Sequence, residues 1–358
     1  MKKAIKTPIL ASAILALSLV FIGCGNAPKE TQKPTTEVAI TTVKTNEIAN
    51  YREPLVFIAG SDGSDYYKNA KKYYEDKQFE VITEAFSIQE IINWLNRNFD
   101  ERLYTDIYIV SKSNPWTGME LETTVHGKKT TSATLKEALL DGNIPKLNEG
   151  ITSETNIILN ASALGDDSDL LNTLKMALST SENSPKIIAS SYYNVFGEKF
   201  SPHNLAKPFY VFYPTAKSPG KVDLSKEIAK KYPNEKEVVW YDALNNETER
   251  FVGDAYTIQF NIPLDWEFVY EGDEEVPFCE NTEEIIAWVK DHEEISKTIK
   301  SLDIPFEKFR WTSKTKKDKL ELKAVTTVLC VLKPLIQPYG DLQHIAPEID
   351  NLRLYSIH

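Results

Sequence analysis

The chain has 358 residues, with 41 Lys and Arg against 52 Asp and Glu and a formal net charge of −11 at pH 7. That acidity argues against nucleic acid or an anionic lipid surface as a partner. The length, with 42% hydrophobic residues, suffices for one large domain or two modest ones.

Residues 1–23 carry Lys2, Lys3 and Lys6, then the apolar run Ile9 to Ile22, then Gly23 before Cys24. A basic start, an apolar stretch and a small residue at the cut describe a secretory signal peptide. Cysteine directly after Phe21, Ile22 and Gly23 is similar to a lipobox, with phenylalanine where leucine is more usual. The similarity implies a bacterial lipoprotein whose Cys24 is lipidated with diacyl, palmitate-type chains before the signal is removed. An uncleaved anchor is the alternative, but 14 apolar residues are short for the roughly 20 that span a bilayer. The expected partner is therefore a lipid bilayer, reached through acylated Cys24. The expected location is the bacterial cell envelope, at the outer membrane of a Gram-negative cell, with the soluble part in the periplasm or at the cell surface. Losing three lysines takes the mature net charge to −14. Residues 24–50 are rich in Thr, Lys, Glu and Pro and bury too little to offset ordering entropy. They read as a flexible tether with a reach of roughly 25 to 30 Å.

From residue 51 the pattern changes. Leu55 to Ala59 reads as a buried strand that ends at the loop Gly60 to Ser64, and Asp65 to Lys77 has helical spacing. Phe79 to Thr83 is a second short strand, and Ser87 caps an amphipathic helix with Ile88, Ile91, Ile92 and Leu95 on one side. Next come a strand from Asp106 to Val110, a polar excursion with a hairpin around His126 and Gly127, and a helix from Ser132 to Leu140. Thr155 to Leu159 is a strand leading to a helix from Leu170 to Leu178, and Ile187 to Ser190 is a fifth strand. Strands alternating with helices predict an α/β fold with a doubly wound, mainly parallel sheet over residues 51–200.

Residues 201–358 have a weaker rhythm and predict a mixed α+β region packed on the first domain or extending it. Strands are expected at Phe209 to Pro214, Glu237 to Tyr241, Tyr256 to Phe260, Glu267 to Tyr270 and Leu320 to Leu332. Helices are expected at Leu224 to Lys231 and Thr282 to Ile299, with Trp240, Trp266, Trp288 and Trp311 as core anchors.

Two strand-to-loop segments, Thr105 to Met119 and Thr155 to Asp167, stop at small polar residues, where a buried parallel strand delivers side chains to the carboxyl edge of an open sheet. They resemble the catalytic strands of the caspase-like (caspase/gingipain-type) cysteine peptidase fold, from about Leu55 to Phe196. Phe309 to Trp311 and Val325 to Leu335 resemble the tail of a bacterial branch of that fold. The resemblance places the catalytic histidine at Lys112, its glycine at Ser113, the cysteine at Ser162, and the flanking glycines at Ala161 and Ala163. Both catalytic side chains are therefore replaced, which implies a pseudo-peptidase, more an unreactive scaffold than an enzyme. The former substrate groove is expected at Ser113, Asn114, Trp116, Asn160, Ser162 and Tyr192, where a peptide or protein ligand would bind.

Two other readings stay open. Lys112 opposite Ser162 allows a Ser/Lys hydrolase of peptides or esters, with Ser162 as nucleophile and a desolvated Lys112 as base. A solute-binding lipoprotein fits the tether and size, although the two halves of the chain differ. No cofactor is implied, and no metal site is visible: the five histidines are scattered, and Asp166 to Asp169 serve more simply as helix-cap residues. Cys330 lies in an apolar run and reads as a packed thiol. Cys279 precedes a helix start capped by Asn281, which leaves a reactive thiol or a bridge to Cys330 open. The Gly60 to Ser64 loop reads as a βα turn before an anion site, since it lacks a phosphate-loop lysine.

Overall fold

The computed structural model describes residues 50–358 other than 61, 216, 217, 272–274 and 339. The expectations for the signal peptide, Cys24 and the tether concern residues 1–50, which lie outside the described residues apart from Asn50. No helix among the described residues is long and apolar enough to cross a membrane.

The fold is mixed α/β, with eight α-helices and several sheets, some of them parallel, among the described residues. The first part runs β1 (Tyr51–Arg52), β2 (Leu55–Ile58), α1 (Asp65–Asp76), β3 (Glu80–Ile82), α2 (Ile88–Arg97), β4 (Leu103–Tyr104) and β5 (Asp106–Val110). A small three-stranded excursion follows, β6 (Ser113–Asn114), β7 (Gly118–Glu122) and β8 (Lys129–Thr130). After it come α3 (Ser132–Leu140), β9 (Asn156–Asn160), α4 (Ser168–Ala177) and β10 (Lys186–Ser190). The remainder is β11 (Tyr193–Val195), β12 (Asn204–Tyr213), α5 (Lys221–Lys231), α6 (Trp240–Asn245), β13 (Tyr256–Val269), α7 (Thr282–Asp291), α8 (Glu293–Ser301), β14 (Arg310–Lys316), β15 (Lys319–Pro334) and β16 (Tyr355–Ile357).

The larger sheet has the order β16-β10-β9-β5-β2-β3, parallel except for β16. Its central strands are nearly continuous apolar runs because both faces are covered. Alternation along β2 shows this directly. Leu55 and Phe57 pack with α2, α3 and α4, whereas Val56 and Ile58 pack with Tyr67, Ala70 and Tyr74 of α1. Burying such a side chain contributes about 1.5–3 kcal/mol, so truncating fully buried Leu159 to alanine costs about 2–5 kcal/mol. Ser87 caps α2 as the sequence predicts: its Oγ accepts the Glu90 amide at 3.1 Å, and the Glu90 carboxylate accepts the Phe86 amide at 2.9 Å.

The second sheet is antiparallel, in the order β11-β12-β15-β13, with β14 also on β15. Phe209, Val211 and Tyr213 face α5 and α6, while Phe212 faces the opposite side with α7 and α8. The chain passes from one sheet to the other between Ser190 and Tyr193. β16 then returns to the first sheet, pairing Tyr355 with Ser190, so residue 200 does not divide the chain cleanly.

Three expectations are corrected. Glu237 to Tyr241 is not a strand: α6 begins at Trp240, since Trp240, Ala243 and Leu244 bury one helical face at i, i+3 and i+4 spacing. Tyr256 to Phe260 and Glu267 to Val269 belong to one strand, β13, which stops one residue short of Tyr270 and runs through Pro263 because an edge strand tolerates a residue without an N–H. The helix from Thr282 to Ile299 breaks at His292, where ψ is 110°, and Ile285, Val289, Ile295 and Ile299 all enter one core. β14 and β16 were not expected, because each is a short or largely polar strand at an edge. Trp240 and Trp311 are buried, while Trp266 and Trp288 are half-buried against the same core as Trp311.

Candidate functional site

The carboxyl ends of β5 and β9 deliver Lys112 and Ser162 to one cleft of about 590 Å³. Ser113, Asn114, Asp65, Tyr66 and Glu120 share its walls on the α/β side. The antiparallel sheet and its approach supply Tyr193, Asn194, Phe196, Tyr256, Ile258 and Phe260, with Glu247 at the edge. The cleft therefore combines a broad aromatic wall with three carboxylates and one lysine.

The two strand ends are tied together. Ser113 Oγ donates to the Ser162 carbonyl at 2.7 Å, and both side chains are buried. Ser162 Oγ accepts the backbone amide of Asn194 at 3.2 Å. The next residue, Ala163, has φ 58°, the left-handed region where glycine is the usual occupant and a Cβ costs about 1–2 kcal/mol. Its amide donates to the Tyr192 carbonyl at 3.1 Å, so that N–H is spent on the fold and does not face a substrate oxygen.

Lys112 is held from three sides. Its amide donates to Tyr67 Oη at 2.9 Å, and its carbonyl accepts the Glu120 amide at 2.7 Å. Its Nζ donates to Asp62 Oδ2 at 2.5 Å and lies 5.4 Å from the Tyr67 ring centroid. Burial pushes the Asp62 carboxyl up, but hydrogen bonds from Lys112 and Ser64, together with the lysine charge, outweigh it and hold the group at about 2. Asp62, between β2 and α1, thus supplies the lysine's partner. Gly60 is required there because an added Cβ would lie 2.0 Å from Tyr67 Cζ.

Of the residues expected to form the groove, Ser113, Asn114 and Ser162 line this cleft. Asn114 shapes its loop: Oδ1 accepts the amides of Trp116 and Thr117 at 3.1 and 2.9 Å. Trp116, Asn160 and Tyr192 are engaged elsewhere. Trp116 Nε1 donates to the Leu302 carbonyl at 3.0 Å, and its ring packs on Tyr210 and Phe212. Buried Asn160 donates through Nδ2 to Tyr74 Oη, and Tyr192 packs with Ile158, Ile188 and Leu205.

Sequence reasoning missed Asp62 and His203. Asn194 Oδ1 meets His203 Nε2 at 3.0 Å, and the imidazole stacks on Phe196 at 4.3 Å between centroids. Burial, with Lys77 adding to it, pushes His203 down to about 3. Nothing in the spacing of His203 signals this, because its partners Asn194 and Phe196 lie in β11 and just after it, across a loop. His126 is exposed in its turn with φ 58°.

Cys279 and Cys330 are both free thiols, so no bridge joins them. Burial pushes the Cys330 thiol up, and burial with Glu284 pushes Cys279 up, the opposite of activation. Asp167 caps α4 by accepting the Leu170 amide at 3.0 Å, and Asp166 accepts Ser191 Oγ at 2.6 Å. No group of three or more His, Cys, Asp or Glu positioned for a metal occurs among the described residues. In comparisons with known proteins, no family model matches the chain, and no curated protein and no solved structure matches it.

Proposed function

We propose that the chain is a lipid-anchored envelope protein whose doubly wound, caspase-like core carries a binding cleft where a peptidase would carry its catalytic pair. One observation supports this most: Lys112 and Ser162 line one cleft, yet the lysine Nζ is bound to Asp62 and the serine Oγ to the Asn194 amide. A serine hydroxyl needs a neighbouring base to act as a nucleophile, and a base paired to a carboxylate is poorly placed to take its proton. The Ala163 amide, spent on Tyr192, further favours binding over chemistry.

The walls indicate what would bind. Tyr193, Phe196, Tyr256 and Phe260 offer aromatic contact, while Asp65, Glu120 and Glu247 favour a cationic group. A short peptide segment combining apolar and basic side chains fits both. Cys24 acylation would hold this cleft within a tether length of the membrane. Calorimetric titration with Lys- and Arg-containing peptides tests the cleft: Phe260→Ser and Glu120→Gln are expected to weaken binding, and equal affinity in wild type and both variants would contradict the assignment.

A further inference from the structure

A second polar constellation lies outside the Lys112 and Ser162 pair. Ser201 comes from the loop between β11 and β12, Glu249 from the loop before β13, and His344 from the segment after β15. Ser201 Oγ lies 2.8 Å from His344 Nδ1, and His344 Nε2 lies 2.9 Å from Glu249 Oε1. The carboxylate fixes the ring proton on Nε2 and leaves the Nδ1 lone pair facing the serine hydroxyl. Glu249 is itself positioned, since its Oε1 also accepts the Gly253 amide at 2.5 Å. That turn is specific: Gly253 has φ 85°, and a Cβ there would lie 2.9 Å from Ile336 Cγ2.

The three residues open on a cavity of about 400 Å³ that shares Val195 and Tyr256 with the larger cleft. The His344 side chain is 3% exposed, whereas Ser201 is only half-buried and accessible from the cavity. An independent observation points to a ligand in the same space. Asn204 lines the cavity at 3% exposure, and its Nδ2 has no hydrogen-bond partner. A buried donor without a partner is a cost that a carbonyl oxygen or oxyanion in the cavity would relieve.

We propose that Ser201, His344 and Glu249 form a Ser–His–Glu relay that hydrolyses esters of short acyl groups. Ser201 Oγ bonds to the acyl carbon as its proton passes to His344 Nδ1, and the carbonyl electron pair moves onto oxygen, with Asn204 Nδ2 as donor. The pair returns, the bond to the leaving alkoxide breaks, and the alkoxide takes the proton from Nδ1 and departs as the alcohol. Water then repeats the sequence: its oxygen bonds to the acyl carbon, its proton passes through Nδ1 to Ser201 Oγ, and the carboxylic acid leaves. Glu249 stabilises the imidazolium formed in each half.

The test uses the full-length chain in detergent, a fluorophosphonate probe with the adduct mapped by mass spectrometry, and hydrolysis of p-nitrophenyl acetate and butyrate. The expected result is an adduct on Ser201, hydrolysis lost in Ser201→Ala, and a fall of about 100- to 10,000-fold in His344→Gln. Glu249→Gln, which removes the negative charge facing the imidazolium, falls in the same direction. Absence of an adduct on folded wild-type protein, with hydrolysis no faster than buffer, overturns this proposal and leaves the binding cleft untouched. An adduct on Ser162 instead overturns both.

Discussion

Lys112, which lines the cleft that also holds Ser162, meets Asp62 Oδ2 through its Nζ at 2.5 Å, across 50 residues of sequence. The pair is partly solvated, with the two side chains 33% and 46% exposed, so its value lies in where it holds the lysine more than in stability. Asp62→Asn is expected to lower stability by less than about 1 kcal/mol at pH 7. The Asp62 carboxyl is depressed to about 2, so that contribution is present above the ordinary value of 3.8 and fades as pH falls through 2. Denaturation of wild type and variant at pH 7 and pH 2 checks this, and a gap that persists at pH 2 contradicts it.

Buried His203 sets a larger pH dependence. Its folded value of about 3 lies below the unfolded 6.5, so the unfolded chain binds the proton first. Stability is full above 6.5 and falls by about 1.4 kcal/mol per pH unit down to about 3. Chemical denaturation at pH 7 and pH 5 should differ by about 2 kcal/mol through this group. His203→Gln should flatten that difference.

Much of this architecture is legible in the sequence, and the reason is local. The strands β2, β5, β9 and β10 are short apolar runs bounded by polar residues, and Ser87 announces α2 as its N-cap. β14 escapes notice because a Thr-, Ser- and Lys-rich edge strand has no apolar run, and α6 because Val238 and Val239 precede it with strand-like composition. The cleft is legible only as two strand ends. Its other wall, and the partners Asp62 and Asn194, are set by tertiary packing between segments 50 and 32 residues apart, while His203 meets Asn194 nine residues along the chain.

Two backbone positions carry opposite expectations. Ala163→Gly relieves a left-handed alanine and should stabilise by up to about 1 kcal/mol after the gain in unfolded-chain entropy. Gly60→Ala drives a Cβ into the Tyr67 ring and should destabilise by about 1–3 kcal/mol. Thermal melts of both variants decide the signs.

The proposed lipid attachment rests on Cys24. Metabolic labelling with an alkyne palmitate should mark the wild-type chain and leave Cys24→Ala unmarked, with the variant recovered outside the membrane fraction. Equal labelling of the two would remove Cys24 from the account.

The most direct test of a cleft that binds without cleaving is incubation of the full-length chain in detergent with a peptide library, followed by mass spectrometry of retained and released peptides. Intact peptides are expected, with those bearing both apolar and basic side chains retained. Cleavage products that disappear in Ser162→Ala or Lys112→Ala would contradict it.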